Sequence, residues 1–78
     1  MNYYDRIISD ADMMLGKPVI KGTRITVELI LKKLSEGFDL KTLLECYPRL
    51  EQEDVLAVLS YAADVISKEQ IIENAHFG

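Results

Sequence analysis

Five cations fall between positions 17 and 33: Lys17, Lys21 and Arg24, then Lys32 and Lys33, with Glu28 the only carboxylate among them. Ammonium and guanidinium groups at this density suit phosphate oxygens, where they fix the position of an anionic partner without reading its sequence. Arg24 carries the sharpest chemistry, because its planar fork matches a carboxylate or a phosphate. The alternative for all five is a solvated turn followed by a solvated helix face, with Arg24 in an internal ion pair. Gln52 has the donor and acceptor to read an adenine edge. Its neighbours Glu51, Glu53 and Asp54 oppose the phosphate field such a contact would enter.

Catalytic chemistry has little to build on. The pair Gly16-Lys17 does not open a phosphate-cradling P-loop, because Ala11 stands where the first glycine is needed and Pro18 where a Ser or Thr must follow. His76 is the sole histidine, close to the last residue, with no partner or pocket to make it a general base. Cys46 is the sole cysteine. It can form neither an intrachain disulfide nor a zinc site, and a free cysteine of this kind is expected as a small buried apolar group. No cofactor or metal is implied, and the chain reads as a non-enzyme.

The elements that must position the cations are short. Ile7-Ile8 and Met13-Met14-Leu15 each suit a short extended piece. Lys17 to Ile20 and Thr23 to Ile25 flank Lys21-Gly22, which predicts a β-hairpin with Lys21 and Arg24 in solvent. Thr26 suits the N-cap of a helix whose inner face is Val27, Ile30, Leu31 and Leu34, ended by Gly37. Asp39 suits the N-cap of a second, with Leu40, Leu43, Leu44 and Tyr47 inward and Pro48 closing it. A third is predicted from Gln52 to Lys68 with Val55, Leu56, Leu59, Ala62, Ala63 and Ile66 as its buried stripe. Phe38, Tyr47 and Tyr61 fit core or rim positions. Tyr3, Tyr4 and Met13-Met14 precede the hairpin and suit covering its edge or a second subunit.

The 78 residues are expected to form one domain: strands and a basic hairpin over 1–25, a three-helix unit over 26–68, and a tail over 69–78. The fold class is mainly α, a three-helix unit of helix-turn-helix type preceded by short strands. A hydrophobic content of 49% is ample for a core. The chain is nevertheless small enough that a second copy or a partner is a reasonable expectation. Net charge is −4, which argues against coating nucleic acid through bulk charge. The charge is uneven, since from Glu45 onward seven anions face only Arg49 and Lys68. The N-terminus is unlike a signal peptide, the apolar runs are too short to span a bilayer, and a lone cysteine suits a reducing compartment. A cytoplasmic protein without membrane contact is expected.

Two blocks carry a family resemblance. The first is Gly16-Lys17-Pro18-Val19-Ile20-Lys21-Gly22-Thr23-Arg24-Ile25-Thr26-Val27. The second is Tyr47-Pro48-Arg49-Leu50 with Glu53-Asp54-Val55-Leu56-Ala57 and Leu59-Ser60-Tyr61-Ala62. With Gly37 between them, they resemble the small bacterial and cyanobacterial family called domain of unknown function 433, over roughly residues 5 to 66. The resemblance implies a homeodomain-like three-helix fold preceded by short strands. It also implies an antitoxin that blocks a PIN-like ribonuclease toxin and represses its own operon, with a stand-alone DNA-binding regulator as the alternative. Glu51 departs from the Thr or Ser usual in the family, which removes a hydroxyl cap and adds charge where DNA would be read.

A homodimer is expected, with Lys17, Lys21, Arg24, Lys32 and Lys33 as a basic face. Ile71, Ile72 and Phe77 are apolar with little local core to join, so the tail is a candidate partner-binding segment. Truncation after Lys68 is expected to abolish partner binding in a pull-down while leaving the helical circular dichroism intact.

Overall fold

The computed structural model describes residues 2–68. Three helices, α1 (Val27–Ser35), α2 (Leu40–Cys46) and α3 (Gln52–Ser67), follow a two-stranded antiparallel sheet of β1 (Ile7–Ile8) and β2 (Val19–Ile20). The chain is therefore mainly helical, with the short strands placed first.

The helix ends follow from their capping residues. The Thr26 hydroxyl accepts the Leu29 N–H at 3.0 Å and starts α1. The Asp39 carboxylate accepts the Thr42 N–H at 2.8 Å and starts α2. Gly37, at φ 99°, ends α1 in a left-handed turn. There the Phe38 N–H reaches the Lys33 carbonyl and the Gly37 N–H reaches that of Leu34, both at 3.1 Å. Glu51 caps α3 without a hydroxyl: its own N–H donates to the Asp54 carboxylate at 2.9 Å.

The hairpin predicted around Lys21-Gly22 forms only in part. β2 pairs with β1, in the register Ile7 to Ile20 and Ile8 to Val19. On its other side β2 makes one bridge, Val19 to Thr26, and the Ile20 N–H donates to the Ile25 carbonyl at 2.9 Å. Thr26 must cap α1, so the second arm turns helical before it can become a strand. Met13-Met14-Leu15 is not extended either. Asp10 accepts the Asp12 N–H on its side chain and the Met13 N–H on its carbonyl, both at 2.9 Å, which reverses the chain. Met14, Leu15 and Gly16 then take φ of 50°, 58° and 79° in succession, and Leu15 ends 93% exposed.

The core gathers Ile30, Leu43, Val19 and Val58, with Ile7, Ile20, Val27, Leu50, Val55 and Ala57 around them. Phe38, Tyr47 and Tyr61 pack against it, as their spacing predicts. Of the predicted stripe on α3, Val55 is buried and Ala62 half-buried, but Leu56, Leu59, Ala63 and Ile66 are exposed, and Asp54, Ala57 and Val58 face inward instead. Apolar residues occur on two sides of this helix, and periodicity alone does not say which side α1 and the N-terminal segment will cover. Leu40 and Cys46, expected inside, are exposed at the two ends of the short α2.

The N-terminal segment is strapped across α3 at two points. Tyr3 lies edge-on to Tyr61, ring centroids 5.3 Å apart, and its hydroxyl donates to the Asp64 carboxylate. Arg6 donates to Asp54 at 2.8 Å and to Glu51 at 3.0 Å. Asp54 is 5% exposed. A carboxylate this deep requires charge and hydrogen-bond partners, and Arg6 and the Glu51 N–H supply both. Arg6 in turn holds its proton more tightly than a free guanidinium, first through Asp54 and then Glu51.

Replacing Asp54 by Ala removes the acceptor for the Glu51 N–H and the main partner of Arg6. Urea unfolding is expected to show a loss of about 2 kcal/mol, as for a buried charged hydrogen bond left half made. A second expectation concerns acid. The Tyr3 hydroxyl, then Lys68, hold the Asp64 carboxyl below its usual range, and the Thr42 amide does the same for Asp39. A depressed folded-state value favours the ionised form, so this stability is complete above about pH 4 to 5, where the unfolded carboxylates are ionised, and is lost as pH falls through the folded values. The melting temperature should hold near neutrality and drop below about pH 4, with a shallower drop in Tyr3→Phe.

Candidate binding face at the Gly22 and Arg49 turns

The two most distinctive stretches of the sequence meet on one surface. Residues 20 to 23 form a tight turn in which the Thr23 N–H donates to the Ile20 carbonyl at 3.0 Å. Gly22 occupies the position with φ 81°, which a side chain would strain. The Thr23 hydroxyl braces the turn by donating to the Ile20 carbonyl at 2.8 Å and accepting the Ile25 N–H at 3.0 Å. Lys21 and Arg24 are thereby held in solvent on either side of Gly22.

Residues 47 to 50 form a second turn between α2 and α3, closed by the Leu50 N–H on the Tyr47 carbonyl at 2.9 Å. Pro48 suits its second position, and Leu50 anchors its end in the core. Arg49 is left pointing out, and its guanidinium donates to the Gly22 carbonyl at 2.8 Å. One hydrogen bond thus joins turns 27 residues apart in the chain.

Arg49 lines a cleft on each side of that bond. One, of about 350 Å³, is bordered by Asp5, Arg6, Lys21, Glu51 and Asp54. Its carboxylates at 51 and 54 are already engaged by Arg6. The other, of about 640 Å³, is bordered by Met13, Gly22, Thr23, Arg24 and Ile25. It combines two guanidinium groups with a thioether and a branched aliphatic side chain and contains no acid.

The predicted basic face therefore divides. Lys17 pairs with Glu28 at 2.8 Å, which also holds the Glu28 carboxyl below its ordinary range. Lys32 and Lys33 reach Glu36 at 3.9 and 3.6 Å, and Lys33 lies 5.2 Å from the centre of the Phe38 ring. Lys21, Arg24 and Arg49 have no carboxylate partner among the described residues. Gln52 is exposed in the first turn of α3, between exposed Glu51 and Glu53, and lines neither cleft. Ile71, Ile72 and Phe77 lie outside the described residues. Arg49 is the residue that cation density missed. From Glu45 onward it shares an acidic stretch with Lys68 as the only other cation, and its signal was its place after Pro48 in a turn between two helices, within the second block of the family resemblance.

Among the described residues no cluster of His, Cys, Asp and Glu is arranged to hold a metal ion, and no helix is long and apolar enough to cross a membrane. Residues 7–62, which include both turns, match the profile of the family described as Protein of unknown function (DUF433). The chain belongs to this family. An uncharacterized protein of Sinorhizobium fredii, y4eO, is 30% identical over 56 residues. That match covers 72% of this chain but only 25% of the relative, so the matched segment spans about a quarter of that longer protein. No solved structure matches the chain.

Proposed function

We propose that this DUF433 protein is a non-enzymatic, antitoxin-like module of helix-turn-helix type that binds and blocks a PIN-like ribonuclease. The composition of the larger cleft carries this reading. Arg24 and Arg49 stand there beside Met13 and Ile25, and arginine with methionine and aliphatic groups is the mixture that anchors protein interfaces. A metal-dependent ribonuclease gathers carboxylates around its ions, and an unpaired guanidinium held on a braced turn is the complementary charge. Fixing it beforehand lowers the ordering cost of binding.

A second reading places DNA phosphates on Lys21, Arg24 and Arg49, as a stand-alone regulator or as autoregulation by the antitoxin. The absence of carboxylate partners on these cations among the described residues favours it. The exposed Glu51 and Glu53 at the start of α3 oppose insertion of that helix in a groove, so the turns, not the helix, would touch DNA.

The test is a pull-down of the tagged chain from its native lysate, with and without nuclease, comparing wild type with Arg49→Glu. The expected result is a stoichiometric partner with metal-dependent ribonuclease activity once released, retained by wild type and lost by the variant. Recovery of DNA alone, removed by nuclease, would replace this reading with the second. Retention by Arg49→Glu but loss on truncation after Lys68 would move the contact to the tail.

A further inference from the structure

Leu15 is the most exposed large apolar side chain among the described residues, and it stands on a backbone that does not suit it. Met14, Leu15 and Gly16 are all in the left-handed region, Leu15 at φ 58° and ψ 30°, where a bulky L-residue is crowded by its own carbonyl. Main-chain bonds close this tip: the Gly16 N–H donates to the Met13 carbonyl at 2.9 Å and the Lys17 N–H to that of Met14 at 3.1 Å. Lone apolar residues are ordinary on a surface. A leucine held there by left-handed backbone is not, because Gly or Asn at position 15 would fit the same turn with less strain. Leu15 takes no part in the core, so within the chain it contributes strain and no packing.

The position of the tip indicates what it could meet. Met13 borders the larger cleft, and Leu15 follows two residues later, at most about 7 Å along the chain. Apolar tip and paired guanidinium groups therefore lie within one contact area. Neither Arg24 nor Arg49 has a carboxylate partner among the described residues.

We infer that Leu15 is the apolar anchor of the binding face, entering a pocket on a partner protein whose rim offers carboxylates to Arg24 and Arg49. The inference rests on the proposal above that a protein binds the larger cleft, and it adds the residue and the surface that make the contact. Charge complementarity selects the acidic rim. An apolar centre with charged contacts around it is the arrangement in which interfaces concentrate their binding energy, and a tip already fixed in its strained form loses little freedom on docking. Nucleic acid is a poorer occupant, since leucine has no ring for bases to stack on and no aromatic residue lines the cleft. A bilayer is poorer too, because a net charge of −4 opposes an anionic leaflet.

Melting of the purified full chain and the nuclease-treated pull-down test this together. Leu15→Asn is expected to melt a few degrees above wild type, because asparagine accepts the left-handed turn. It should nevertheless capture the partner ribonuclease about tenfold less, the loss that follows when one leucine contact is removed. Leu15→Met keeps an apolar tip and should keep capture. The released partner should fail to rebind wild type once its carboxylates are amidated with carbodiimide and ethanolamine. Capture undiminished by Leu15→Asn but lost in Arg49→Glu would overturn the inference and leave the proposed function standing, as would rebinding after amidation. A Leu15→Asn chain that melts below wild type would make the residue a structural one and overturn it as well. No protein captured by wild type would remove both readings. Flotation of wild type with vesicles of phosphatidylcholine and phosphatidylserine, lost in Leu15→Asn, would assign the tip to a membrane instead.

Discussion

The carboxylate of Asp54 is the group on which the arrangement of this small protein turns. It sits in the first turn of α3 and is nearly closed off from water. One oxygen takes the Arg6 guanidinium and the other the Glu51 N–H. The first contact fixes the segment leading into β1, and the second fixes where α3 begins. Since the Lys21 N–H donates to the Arg6 carbonyl at 2.8 Å, the same residue passes that constraint to the start of the Gly22 turn. A buried ion pair adds less net stability than its short distances suggest, because both charges lose their water. Its effect here is on geometry, since the two contacts tie the segment before β1 to the start of α3.

Much of the backbone was legible because capping chemistry is local. Thr26, Asp39, Gly37 and Pro48 each act within one turn of helix, and each marks the boundary it suggests. What was not legible depended on long-range choices. α3 has two apolar stripes, and the one led by Leu56 and Leu59 is the more hydrophobic; the inward face instead uses Val55, Ala57 and Val58, on the side that α1 and the N-terminal segment cover. Glu51 reads as a weak cap if only its side chain is considered, but its main-chain N–H is satisfied by Asp54. Cation density found Lys21 and Arg24 and missed Arg49. The relevant proximity crosses 27 residues and runs through a backbone carbonyl, which no residue pattern records.

The same division explains why the binding face is smaller than charge counting implies. Lys17, Lys32 and Lys33 spend their charge on Glu28 and Glu36, on or beside α1, in exposed pairs that contribute little to stability and much to local neutrality. Apart from Lys41 on α2, the unpaired cations among the described residues are concentrated at two turns, both braced from beneath by buried residues: Ile20 under one, Leu50 under the other. Rigid placement of a few groups suits recognition of a defined partner better than diffuse attraction to a polyanion.

The bond from Arg49 to the Gly22 carbonyl also limits how this chain can vary. Because its acceptor is main chain, it is indifferent to which side chains decorate the first turn but strict about where that turn's backbone lies. Residues 21 and 24 are therefore free to diverge in chemistry, while Thr23, whose hydroxyl braces the turn, and the number of residues in each turn are not. Lengthening either by one residue would shift donor or acceptor by the span of a peptide unit, about 3.8 Å. The two loops behave, for insertions and deletions, as one element of fixed length.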